Sequence, residues 1–193
     1  MINQPLLVMF LGYPGSGKSF FARQLADKLQ AVRLNGDSMR IALFKTVEAI
    51  EAHPNKNILN TQTFGAIDYA VSQVLKAGHS VVYDAHHNKR SIREALEKLA
   101  LDYMAKPVVV WIKTPREIAL LRGTDREAAD DSRQMTKEKM LESMNRHMAN
   151  FDEPSESECV IEIDGTIPFE RQFEIFRQHI ATDEFQKTKM IRF

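Results

Sequence analysis

Lys18 and Ser19 close the run Gly12-Tyr13-Pro14-Gly15-Ser16-Gly17-Lys18-Ser19, which fits G-x-x-x-x-G-K-[ST] at every constrained position. The pattern has a physical reason. Glycines leave no Cβ in the path of backbone N–H groups that converge on phosphate oxygens. The lysine then reaches the β- and γ-phosphates, and the serine hydroxyl holds a Mg²⁺ that bridges them. The flanks supply the setting: residues 6–11 are an apolar run of strand length, and from Ser19 onward Phe21, Leu25 and Leu29 recur on one helical face. A helix starting there adds its unpaired N–H groups and positive end. Gly12, Pro14, Gly15, Ser16, Gly17, Lys18 and Ser19 are the expected binding residues for ATP, and Ser19 is an expected Mg²⁺ ligand.

Further candidates follow the later apolar runs. Asn35-Gly36-Asp37-Ser38-Met39-Arg40 places an acid and a guanidinium three apart, on one side of a helical turn. There Asp37 can take a proton from an attacking hydroxyl while Arg40 holds an acidic part of a substrate. As an alternative, Asp37 is simply the cap of a short helix. Val81-Val82-Tyr83-Asp84 ends an apolar run in an acid, and beside a phosphate loop such an acid lies near the Mg²⁺. His86 and His87 lack further ligands at metal spacing, so they read as loop residues or substrate contacts. Arg122, Arg126 and, more weakly, Arg133 lie in a polar stretch over about 122–135 that reads as a lid, where arginines neutralise transition-state charge.

The elements that must position these groups are legible as alternating patterns. Strands are expected over 6–11, 31–35, 80–84, 107–113 and 159–164, separated by helices, which implies a mostly parallel sheet covered on both faces. Ligands of such sheets sit outside the carboxyl ends of the strands, where all the candidates fall. Residues 46–60 form the least regular part of the first half, and a helix is expected over 61–77. Ser91-Ile92-Arg93-Glu94 and Thr114-Pro115-Arg116-Glu117 read as capping boxes, the second opening a helix that ends near Gly123. Met135, Met140, Met144 and Met148 form a stripe at helical spacing, expected to be core. Phe169, Phe173, Phe176 and Ile180 line a last amphipathic helix, and a short basic tail over about 185–193 is expected to be mobile.

Composition narrows the class. The 193 residues suit one domain, and 26 basic against 26 acidic residues give no broad electrostatic grip on long nucleic acid, although a local basic patch stays compatible. The single cysteine, Cys159, rules out an internal disulfide and is expected to be a buried, inert thiol. There is neither a leader pattern nor an apolar run of membrane-spanning length, so a cytoplasmic protein without a membrane partner is expected. A switch GTPase is disfavoured. Asn88-Lys89-Arg90-Ser91 lacks the acid that specifies guanine, and His87 stands where Asp-x-x-Gly after Asp84 needs glycine.

The phosphate loop, Asp37-Ser38-Met39-Arg40, Val82-Tyr83-Asp84-Ala85 with Asn88, and Arg122 with Arg126 together resemble a family of P-loop kinases. It includes the 5′-hydroxyl kinase domain of phage polynucleotide kinase and the small ATP-binding kinases of the zeta-toxin and antibiotic-phosphotransferase type. The resemblance covers roughly residues 6–165. It implies an α/β, three-layer P-loop NTPase fold in a single domain, with ATP and Mg²⁺ as cofactors and a hydroxyl-bearing acceptor as partner. That acceptor is a nucleic acid 5′ end, a nucleoside or another small molecule. By the same resemblance Lys18 and Ser19 act on the phosphates and Mg²⁺, Asp37 is the general base, Arg40 holds the acceptor, and Arg126 with Arg122 stabilises the transferring phosphoryl group. The segment between Arg40 and Gln62, where acceptors are read, matches nothing in the family. The alternative is an ATPase or ATP-binding switch with no acceptor, for which a base at Asp37 would have no use.

Overall fold

The computed structural model describes residues 4–125 and 136–182. In chain order the elements are β1 (Leu6–Leu11), α1 (Lys18–Leu29), β2 (Val32–Asn35), α2 (Gly36–Phe44), α3 (Val47–Ala52), α4 (Lys56–Lys76) and β3 (Val81–Asp84). They continue with α5 (Arg90–Asp102), β4 (Lys106–Lys113), α6 (Arg116–Asp125), α7 (Lys137–Ala149), β5 (Val160–Asp164) and α8 (Phe169–Ala181). The strands form one sheet in the order β2-β3-β1-β4-β5, and every pairing is parallel. This is the α/β P-loop NTPase architecture.

The two-residue period of the strands divides the core into two layers. Leu6, Val8 and Phe10 of β1 point to α1 and α8, joining Phe21, Leu25 and Phe176. Leu7, Met9 and Leu11 point to the other face, against Ile67, Val71 and Leu75 of α4 and Leu96 of α5. All of β1 is buried, and each such side chain contributes about 1.5–3 kcal/mol relative to exposure. The central strand therefore has no freedom to slip, and the loop that leaves its carboxyl end starts from a fixed point.

Several local expectations need correction. Residues 46–60 are ordered: Thr46 caps α3 by accepting from the Ala49 N–H, and Asn55 caps α4 by accepting from Asn57 and Ile58. Helix α4 thus begins at Lys56 instead of residue 61. Helix α3 is only six residues long and the first turns of α4 are mostly polar, so the period there is faint and the caps specify these starts instead. Helix α5 starts at Arg90, so Ser91 lies inside its first turn and caps nothing. Helix α6 runs past Gly123 to Asp125. Met140 and Met144 are buried against Ala119, but Met148 is exposed. Cys159 is half-exposed, since it precedes edge strand β5 instead of lying within it. Met135, Arg126, Arg133 and the tail lie outside the described residues. Among the described residues no helix is long and apolar enough to cross a membrane.

Candidate active site

A cleft of about 1360 Å³ opens along the carboxyl edge of the sheet, lined by the phosphate loop, α2, the start of α4, α7 and the β5–α8 loop. The loop's own geometry comes first. Gly12 has φ +133°, and a Cβ there would lie 2.5 Å from the Ile112 carbonyl oxygen, so the chain can leave β1 only through glycine. Thr114 does not cap α6 as expected; its hydroxyl donates to the Ser16 carbonyl at 2.8 Å and ties the loop to β4. Gly165, after β5, closes the floor: a Cβ at this position would meet Thr114 Oγ1 at 2.0 Å and the Ser16 carbonyl oxygen at 2.6 Å. Lys18 Nζ donates to the carbonyls of Gly12 at 2.8 Å and Tyr13 at 2.5 Å, curled over the loop it would leave to meet phosphates.

Ser19, at the start of α1, faces the end of β3. Its hydroxyl donates to Asp84 Oδ1 at 3.0 Å. Asp84 Oδ2 accepts from Arg33 Nε at 3.0 Å, Arg33 Nη2 at 2.5 Å and Asn35 Nδ2 at 2.8 Å. Asp84 is thereby held in one orientation, buried but charge-matched. A hydroxyl beside a fixed carboxylate is the hard-oxygen donor pair that suits Mg²⁺, which takes one or two protein ligands and completes its shell with waters and phosphates. Among the described residues no cluster of three or more His, Cys, Asp or Glu is arranged to cage a metal ion.

Asp37 and Arg40 line the same cleft. The helix-cap alternative for Asp37 does not hold. Asn35, brought beside Asp84 by the β2–β3 register, is the cap of α2, its side-chain oxygen accepting from the Ser38 N–H at 2.8 Å. One asparagine thus serves the helix with its oxygen and Asp84 with its nitrogen. Asp37, one residue inside α2, accepts from Arg40 Nη1 at 2.8 Å. Arg40 also donates to Asn60 Oδ1 at 3.2 Å and sits 5.3 Å from the centre of the Phe64 ring.

The lid side is represented by Arg122, whose Nη1 donates to the Gly165 carbonyl at 2.7 Å and which lines the cleft from α6. Of the two histidines, His86 lines the cleft while His87 is a structural residue. His87 Nδ1 accepts from the Phe10 N–H at 3.1 Å, and the His87 backbone N–H donates to the Phe10 carbonyl at 3.1 Å. Burial, with the Arg93 charge adding to it, lowers the His87 pKa to about 3. His147, on α7, hydrogen-bonds Asn88 through Nδ1 at 2.7 Å, and burial together with Lys18 lowers its pKa to about 4. His86 is held well below the ordinary histidine value, first by the Lys18 charge and then by desolvation, with Arg40 among the smaller causes.

Sequence reasoning missed Arg33, Thr114, Gly165 and Arg93. Arg93 is buried and donates to the carbonyls of His87, Asn88 and Asp152 and to both carboxylate oxygens of Glu158, clamping the loop after Asp84 to the segment before β5. Only its place at an apolar-face position of α5 hinted at this, because its partners are distant in the chain.

Known structures share this arrangement as a fold. The chain resembles a sugar kinase from Janibacter sp. at 19% identity and TM-score 0.63, with 93% of this chain and 99% of that one covered. The APS kinase of Mycobacterium tuberculosis, solved with AMPPNP and APS, is 17% identical at TM-score 0.64, covering 93% and 99%. Kti12 of Chaetomium thermophilum, solved with ADP-AlF3, is 18% identical at TM-score 0.65, covering 92% and 100%. No curated protein matches the chain significantly in sequence. A P-loop, its helix, the Asp84 partner of Ser19 and the α7 wall all fall within residues 7–151, the span that matches the model described as an AAA domain, and the chain belongs to that family.

Proposed function

We propose that the protein is an ATP-dependent kinase that moves the γ-phosphoryl group to a hydroxyl, as in the kinases of the polynucleotide 5′-hydroxyl and zeta-toxin type. One observation carries this reading: Asp37, not used as a helix cap, faces the same cleft as the phosphate loop. This reading gives each residue of the cleft a role. Phosphate-loop N–H groups and Lys18 hold the triphosphate, while Ser19 and Asp84 would hold Mg²⁺, which neutralises charge on the β- and γ-phosphates when bound. Asp37 takes the proton of the acceptor hydroxyl as its oxygen bonds to the γ-phosphorus. The bond from that phosphorus to the bridging oxygen breaks, and its electron pair leaves with ADP. Arg40 orients Asp37 and the acceptor. Arg122, with Arg126 outside the described residues, neutralises the group in flight.

The test is incubation with γ-labelled ATP and Mg²⁺ against 5′-hydroxyl oligonucleotides, nucleosides, sugars and aminoglycoside-like alcohols. Label on one class supports the kinase. Release of phosphate to water at the same rate with and without every acceptor makes the protein an ATPase or switch instead.

A further inference from the structure

Helix α7 forms a wall of the cleft that the reaction above leaves unused. Lys139 and Arg146 both line the cleft, two turns or about 10 Å apart on one face. The Lys139 end lies at the nucleotide side, where the methyl group of the next residue, Met140, packs so tightly on α6 that a Cβ at Gly123 would lie 2.2 Å from it. The Arg146 end packs, through the next residue His147, on Tyr13 of the phosphate loop at 5.1 Å ring to ring. His147 also stands 6.2 Å ring to ring from His86 and bonds Asn88 in the loop that follows Asp84. Arg146 lines the same cleft as His86 and the Asp37–Arg40 pair.

The charges there are unequal. Arg40 is matched by Asp37 at 2.8 Å. Lys56, also on the cleft, turns its ammonium onto the carbonyls of Ile50 and Glu51 at the end of α3. Arg146 forms no ion pair among the described residues, and Glu142, one turn earlier on the same face, does not reach it. A guanidinium with five N–H donors in a fixed fork, exposed on a cleft wall and unmatched, fits a phosphate or carboxylate.

Resting on the kinase reading, we propose that Arg146 forms an anion subsite of the acceptor pocket. The acceptor then carries a phosphate or carboxylate in addition to the hydroxyl that is phosphorylated. The segment after Arg40 supplies the neutral part of that pocket through Ile50, Leu59 and Asn60, while α7 supplies its charge recognition.

The experiment is an NMR titration of the protein saturated with AMPPNP and Mg²⁺, using glycerol 3-phosphate, glycerate and glycerol as matched probes. A charged probe is expected to bind at least about tenfold tighter than glycerol, the scale of one charge-assisted hydrogen bond, and which one does so distinguishes phosphate from carboxylate. Arg146→Gln brings that probe to the glycerol level and leaves the AMPPNP Kd within about twofold, while Arg146→Lys retains most of the preference. Equal binding of all three probes overturns the subsite. So does a weakened AMPPNP Kd in Arg146→Gln, which would give the guanidinium to the triphosphate. Failure of the wild-type protein to bind AMPPNP at all is read separately, and it sinks the kinase reading together with this one.

Discussion

The Ser19 hydroxyl and Asp84 Oδ1 lie 3.0 Å apart although 65 residues separate them in the chain. The contact exists because β1 and β3 are neighbours in the sheet, so the loop after one strand meets the last residue of the other. Arg33 and Asn35, from the next strand out, hold the far oxygen of the same carboxylate. Three adjacent strands thus orient one acid toward the start of α1, and the expected metal position is a property of strand order.

Lys18→Ala removes the fixed cation of the phosphate loop. ATP affinity falls and phosphoryl transfer is lost, because the β- and γ-phosphates have no replacement charge. Turnover near the wild-type rate at saturating ATP contradicts the phosphate-cradle assignment.

Asp37→Asn keeps the shape of the side chain but cannot take a proton. Since Asn35 caps α2, folding and ATP affinity stay intact while transfer falls by about 10²–10⁴, the usual share of general-base catalysis. A lowered melting temperature with transfer unchanged would falsify the base assignment.

Arg122→Ala tests the lid side. The guanidinium rests on the Gly165 carbonyl and reaches the phosphates only if it moves or the nucleotide comes to it. If its charge acts in the transition state, kcat falls by up to about 10³–10⁵ with little change in the KM for ATP. An effect confined to KM makes Arg122 a ground-state nucleotide contact.

Glu158→Ala leaves Arg93 buried with three carbonyls but no counter-charge. Breaking one side of a buried pair costs about 3–5 kcal/mol, so the urea midpoint drops sharply. Stability within about 1 kcal/mol of wild type would show that the carbonyls suffice to hold the guanidinium.

Acid should destabilise the fold through His87. Its folded pKa is depressed to about 3, against an ordinary value of 6.5, so between these values the unfolded chain binds a proton that the folded chain refuses. Stability therefore rises with pH across this window and is lost as pH falls below the ordinary value, at about 1.4 kcal/mol per pH unit. From pH 7.5 to pH 5 the expected loss from this residue is about 2 kcal/mol, measured by urea denaturation. His87→Gln removes that part of the slope. An unchanged slope in the variant assigns the acid sensitivity to other groups.

What the sequence determined by itself is whatever depends on contiguous residues. The phosphate loop is local: its glycines, its lysine and its serine act within one turn, and the apolar runs on either side declare a strand and a helix. The alternation of such runs with helical patterns also specified the parallel sheet, because a buried strand has only apolar neighbours to choose from. The tertiary structure decided everything that depends on which strand ends come together. Asp37 read equally as base or cap until the structure started α2 at Gly36, with Asn35 as its cap and Asp37 inside the helix. Thr114 has a capping sequence, yet its hydroxyl serves the Ser16 carbonyl, because β4 runs beside β1 and the loop's unpaired carbonyl lies within reach. Arg146 lies in no motif of the sequence. It lines the cleft because α7 packs its methionines on α6, and no spacing along one segment encodes a contact that two distant segments must build together.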